Sequence, residues 1–222
     1  MLFRSADPGG DRKKKMTEGP APAAWTGWRG PRRDGRVERL PASLPKTPAF
    51  AWSHPMQSPG VGGLAADSQR VYASDREADE TVDVFVCLDA ATGEERWSFR
   101  HPAVSNLDYG NSSRAAPLLE GEFAVFFGAM GGLHCLERET GDLVWGRELA
   151  SEFGAVEKLV WGMCSSPLAV DGKLIVNPGT PQAGLAALDL KTGKVVWKSP
   201  TNGRSHGSFL LGVFGGVRQI VG

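Results

Sequence analysis

The residues able to do chemistry are few and far apart along the chain. Three cysteines, Cys87, Cys135 and Cys164, are separated by 48 and 29 positions. No C-x-x-C pair exists, so they form neither a zinc knuckle nor a disulfide framework. Four histidines, His54, His101, His134 and His206, show no spacing that predicts a metal site. His54 and His101 each precede a proline, which points to loop geometry, and His134 neighbours Cys135 on an apolar stretch. There is no nucleophile elbow and no phosphate-binding loop. The Gly-Gly pairs at 62–63, 131–132 and 215–216 fall in strand or turn contexts and read as close packing. No catalytic residue and no metal ligand is therefore expected.

The composition narrows the classes that remain. The 222 residues include 41% hydrophobic side chains, 29 Gly and 15 Pro, which favours many turns and short strands over long helices. Net charge is zero but unevenly spread. Residues 1–46 carry 11 Lys/Arg against 5 Asp/Glu, and residues 47–222 carry 14 against 20. The acidic remainder argues against a nucleic-acid face, and residues 1–24 read as a disordered basic tail. No apolar run approaches the roughly 18 residues of a membrane span. The basic cluster Arg12–Lys15 runs into Met16-Thr-Glu-Gly-Pro20, with no apolar core behind it, so no signal peptide is visible. Met16 is a second candidate start.

One pattern repeats without gaps. Cys87-Leu-Asp-Ala-Ala-Thr-Gly-Glu-Glu-Arg-Trp97 recurs 48 residues later as Cys135–Trp145 and 52 residues after that as Ala187–Trp197. The first position is small and suits close packing. The third, Asp89, Glu137 or Asp189, can accept hydrogen bonds from turn amides. Gly93, Gly141 and Gly193 supply the positive φ of a short hairpin loop. Trp97, Trp145 and Trp197 then stand on the outgoing strand, where a large flat ring can cover the gap to a neighbouring unit. Ahead of each copy lies a hairpin signal, as in Leu168-Ala-Val-Asp-Gly-Lys-Leu-Ile-Val176. Each unit is thus four antiparallel strands at a period of about 50 residues, the pattern of a β-propeller blade.

The unit A-x-D-x-x-T-G-x-x-x-W resembles the tryptophan-docking motif of the pyrroloquinoline-quinone (PQQ) repeat propellers, a family that includes quinoprotein alcohol dehydrogenases and an outer-membrane assembly lipoprotein. Trp25-Thr-Gly-Trp-Arg-Gly-Pro-Arg-Arg-Asp-Gly35 is similar to the opening of many bacterial PQQ-like repeat proteins. The resemblance implies an all-β chain of four-stranded blades. Residues 25–57 form a lead-in segment with a lone outer strand at Ala49–Trp52, and 58–222 a partial propeller. The blades span about 58–100, 112–149 and 163–200, with a half blade at 207–222. Three and a half blades fall short of the seven or eight that the resemblance implies.

The segments before the innermost strands are the expected place of a binding rim. They offer Tyr109, Asn111, Arg114, Trp161, Met163, Arg204 and His206. Two functions follow. The first is a non-catalytic scaffold that holds a protein partner or a small ligand at the axial funnel, with self-association through open blade edges. The alternative is the first part of a PQQ-dependent dehydrogenase, in which the resemblance implies adjacent cysteines beside the quinone and a bound Ca²⁺. The separated cysteines favour the first. The resemblance also implies an extracytoplasmic setting.

Overall fold

The computed structural model describes residues 3–4, 24–37, 42–43, 45–47, 49–104, 107–154, 160–200 and 205–222. The expected basic tail therefore lies almost wholly outside the described residues. Two short strands, β1 (Phe3–Arg4) and β2 (Ala49–Phe50), pair antiparallel. Blade one is β3 (Ala65–Ala66), β4 (Arg70–Arg76), β5 (Val82–Asp89) and β6 (Glu95–Pro102). Blade two is β7 (Leu118–Glu120), β8 (Phe123–Phe127), β9 (Gly132–Glu137) and β10 (Leu143–Glu148). A single helical turn, α1 (Leu149–Glu152), leads out of it. Blade three is β11 (Leu168–Val170), β12 (Lys173–Val176), β13 (Leu185–Asp189) and β14 (Val195–Ser199). A hairpin, β15 (Leu210–Phe214) and β16 (Val217–Val221), follows as half a blade. Every four-stranded sheet is an antiparallel meander in chain order, so the described strands form an open propeller array of three and a half blades.

The repeated motif explains how the blades join. Cys87 lies directly across from Trp97, Cys135 from Trp145 and Ala187 from Trp197. Paired residues share one face of the sheet, so the small side chain leaves room for the indole. A bulge sits beside each of these pairs, setting one extra residue, Arg96, Val144 or Val196, on the outer strand. The ring then reaches the next blade. Trp97 Nε1 donates to Arg138 O at 3.3 Å, and Trp145 Nε1 donates to Leu190 O at 2.9 Å. These carbonyls belong to the same motif position. Beneath each indole lies the motif glycine of the next blade. A Cβ on Gly141 would stand 2.6 Å from the Trp97 ring, and one on Gly193 would stand 2.7 Å from the Trp145 ring.

Trp52 extends the series backwards. Its Nε1 donates to Ala90 O at 3.0 Å, and its ring covers Gly93. The segment after β2 therefore supplies to blade one what β6 supplies to blade two. Trp197, at the other end, is 38% exposed, whereas Trp97 and Trp145 are 8% and 9% exposed.

The third motif position works as expected for aspartate and differently for glutamate. Asp89 accepts the amides of Ala91 and Thr92 at 2.8 and 3.0 Å, and Asp189 accepts Thr192 N at 2.9 Å. Glu137, one methylene longer, bonds the Thr140 hydroxyl at 2.6 Å instead.

Rungs of hydrogen bonds also run along the inner strands. Ala116 N donates to Ser166 Oγ at 3.0 Å, and Ser166 N donates to Ser208 Oγ at 2.9 Å. Each residue stands two positions before its innermost strand. Among the described residues no helix is long and apolar enough to cross a membrane.

Candidate interaction rim

The loops that enter the innermost strands share one face with the ends of β6 and β10. The Thr-Gly turns lie on the opposite face, because antiparallel strands alternate direction. On the first face the loop after β6 and the loop after α1 touch, with Asp108 N donating to Val160 O at 2.9 Å. Arg114 fastens them. Its guanidinium donates to Trp161 O at 3.2 Å, Asp108 O at 2.9 Å and Gly110 O at 2.6 Å, and also to Ser112 O. Partial burial lowers the Arg114 pKa, yet the group stays cationic and its donors are spent on the protein's own backbone.

The loops so fixed hold aromatic side chains out into solvent. Tyr109 is 83% exposed and has a φ of +64°. This left-handed conformation is one that the adjoining turn holds at a steric cost. Trp161 is 48% exposed, and its ring centroid lies 5.0 Å from that of the exposed His206. Two other expected rim residues are placed elsewhere. Met163 is buried in the core shared by blades two and three, where its amide bonds Ala129 O at 2.8 Å. Asn111 is also buried. Its side chain accepts Leu107 N at 2.8 Å and donates to Glu80. Polar loop composition does not reveal which side chains turn inward. Arg204 lies outside the described residues.

The axial side is taken up by the chain itself. Trp25 forms a two-way bridge with Ala66 at 2.7 and 2.8 Å, and Leu119 N donates to Thr26 O at 2.8 Å. Arg33, 7% exposed, donates to Pro167 O at 2.7 Å and Ser166 O at 3.1 Å. Its guanidinium lies over the Trp28 ring at 5.1 Å, and burial pulls its pKa down to about 10. The lead-in segment thus ties three successive blades along their inner edges. This segment lies on the side where the small-ligand funnel is expected, and Tyr109, Trp161 and His206 are exposed on the loop face.

Sequence spacing also hid a convergence. His101 at the end of β6 and His134 on β9 stand 33 residues apart, yet their ring centroids lie 4.3 Å apart across the boundary of blades one and two. Burial, reinforced by His101, pulls the His134 pKa down to about 4. His134 is therefore neutral at ordinary pH.

The cysteines are free and occupy distinct settings. Cys87 and Cys135 are buried, and Cys164 lies half-buried on the rim. Burial raises the Cys87 pKa to about 11 and the Cys135 pKa to about 12.

Comparisons with known proteins agree with this architecture. The family model described as outer membrane protein assembly factor BamB matches residues 35–214. The dehydrogenase subunit of the quinone alcohol dehydrogenase of Gluconobacter oxydans (strain 621H) is 31% identical over 121 residues, which is 50% of this chain and 16% of that protein. Its counterpart in Komagataeibacter europaeus is 30% identical over 134 residues, 54% of this chain and 18% of that protein. The matched region thus spans less than a fifth of these curated relatives. Among solved structures, the quinohemoprotein alcohol dehydrogenase from Comamonas testosteroni superposes with a TM-score of 0.57 at 18% identity, covering 81% of this chain and 27% of that one. With the repeated indole-on-glycine joints and a family model matched over most of its length, the chain belongs to the PQQ-repeat β-propeller family that includes the BamB-type propellers.

Proposed function

We propose that this propeller segment is a non-catalytic interaction scaffold that presents the aromatic rim of Tyr109, Trp161 and His206 to a protein partner. The observation that carries this reading is the combination of exposed rings with an Arg114-fastened loop pair beneath them. Tyrosine and tryptophan held on a rigid support make good contact residues, because little side-chain entropy remains to be lost. The family description, an outer-membrane assembly factor, supports protein binding in an extracytoplasmic setting.

The donor set gives little support to the quinone-dependent alternative. Cys87 and Cys135 are buried opposite different tryptophans in different blades. Cys164 bonds the carbonyls of Trp161 and Gly162. These residues do not fit a site that needs two adjacent thiols, and no step of quinone chemistry is assigned to them.

A photo-crosslinking amino acid placed at Tyr109 in cells of the source organism is expected to capture a discrete protein. The same group at Lys194, on the Thr-Gly face, is expected to capture none. Capture at both positions alike, or at neither, would contradict a dedicated rim. A second arm adds pyrroloquinoline quinone and Ca²⁺ to the purified protein. Retained chromophore with dye-linked alcohol oxidation would favour the dehydrogenase reading instead.

A further inference from the structure

We propose that His101, His134 and Glu148 form a Zn²⁺ site that clips blade one to blade two. The three side chains come from three strands, β6, β9 and β10, and each offers one donor atom. These atoms all lie within 4.8 Å of one another. His101 Nε2 is already 2.9 Å from Glu148 Oε1.

A second observation points to a ligand independently. His134 is 4% exposed, and its Nδ1 has no hydrogen-bond partner among the described residues. A buried nitrogen lone pair or N–H left unmatched is costly, and native proteins rarely keep one without a purpose. The geometry between the three side chains suits an ion. Glu148 stands directly across from Gly132 and Gly146 directly across from His134. A Cβ on Gly132 would fall 3.0 Å from His101 Nε2 and 3.1 Å from His134 Cε1. Glycine at this point keeps the space between the donors clear.

The surroundings also resemble those of a metal centre. Asp83 faces His101 across β5 and β6. One of its oxygens is held by the buried Arg76 at 2.5 Å, while Oδ2 is buried without a partner among the described residues. A carboxylate across from His101 adds negative charge that favours a cation at the site. Two imidazole nitrogens and one carboxylate match the borderline preference of Zn²⁺ rather than the all-oxygen shells of Mg²⁺ or Ca²⁺. Glu148 is half-exposed, so a water molecule can complete the fourth position.

The test is titration of the metal-stripped, purified protein with Zn²⁺ by calorimetry and with Co²⁺ by its visible ligand-field absorption. One equivalent is expected to bind with a tetrahedral Co²⁺ spectrum, unaffected by excess Mg²⁺ or Ca²⁺. His101→Asn and Glu148→Gln lie at the exposed side of the cluster and should leave the fold intact. Each is expected to weaken binding at least about tenfold. Cys164→Ser and His206→Asn should leave it unchanged. No saturable uptake by the parent protein would overturn the site. So would uptake that persists undiminished in both the His101 and Glu148 variants, since the pair would then be an ordinary surface ion contact.

Discussion

At the scale of single residues, the same amino acid has different weight according to what lies beyond it. Trp145 is covered by blade three, whereas Trp197 is 38% exposed. Replacing Trp145 by Ala is expected to cost about 3–5 kcal/mol, the range for a buried aromatic. The same change at Trp197 is expected to cost about 1 kcal/mol or less. Chemical denaturation of both variants checks the contrast, and equal losses would contradict it. The thiols provide a second test. Raised pKa values leave Cys87 and Cys135 almost wholly protonated at pH 8, and burial blocks access. Burial raises the Cys164 pKa too, but Arg114 opposes the shift and the group is half-buried on the rim. An aromatic disulfide reagent should therefore label one thiol of the native protein promptly and the other two only on unfolding. Prompt labelling of Cys87 or Cys135 would show that their blades are open.

At the scale of strands and turns, the Thr-Gly loop serves both its own hairpin and the indole of the preceding blade. Gly141 has a φ of +79° with the Trp97 ring against it, whereas Gly121, at +57°, faces open space. Gly121→Ala should cost about 1–2 kcal/mol, the left-handed strain alone. Gly141→Ala adds an overlap with the ring and should cost about 2–4 kcal/mol in equilibrium unfolding. This element was legible in the sequence because three copies stand in register, and Gly, Thr and Trp each have few alternative uses there. The serine rung beside the inner strands was harder to see, since Ala116 contributes its backbone amide and breaks the residue pattern. His101, His134 and Glu148 were not legible at all. They occupy the end of one fourth strand, the middle of a third strand and the end of another fourth strand, so no fixed spacing links them. Strand pairing within blade two sets Glu148 near His134, and the packing of blade on blade brings His101 to them. The rim was half legible for a related reason. Loop composition marked where a rim is expected, but the inward turn of Asn111 and Met163 depends on contacts from distant segments.

At the scale of the whole array, the blades stand in a row whose two flanks are not covered by any of the described residues. At one flank Val196, Trp197, Val213, Phe214 and Val217 are all exposed. At the other, a groove of about 560 Å³ is lined by Trp25, Phe50, Trp52, Met56 and Leu64 among others. Apolar surface of this extent favours association. Light scattering on the isolated 222-residue chain is expected to give a mass above its 23.7 kDa, and a stable monomer would show that the flanks tolerate water. The indole joints are the tie that recurs between successive units from the lead-in segment to blade three, so these are the most direct target. The decisive measurement is a double-mutant cycle on Trp145 and Gly193, with Trp145→Leu and Gly193→Ala made singly and together and followed by denaturant unfolding. With the ring in place, Gly193→Ala should cost about 2–4 kcal/mol; without it, only the backbone strain of about 1–2 kcal/mol remains. A coupling of about 1–2 kcal/mol is the expected result. Additivity within about 0.5 kcal/mol, the behaviour of residues that do not touch, would contradict the account.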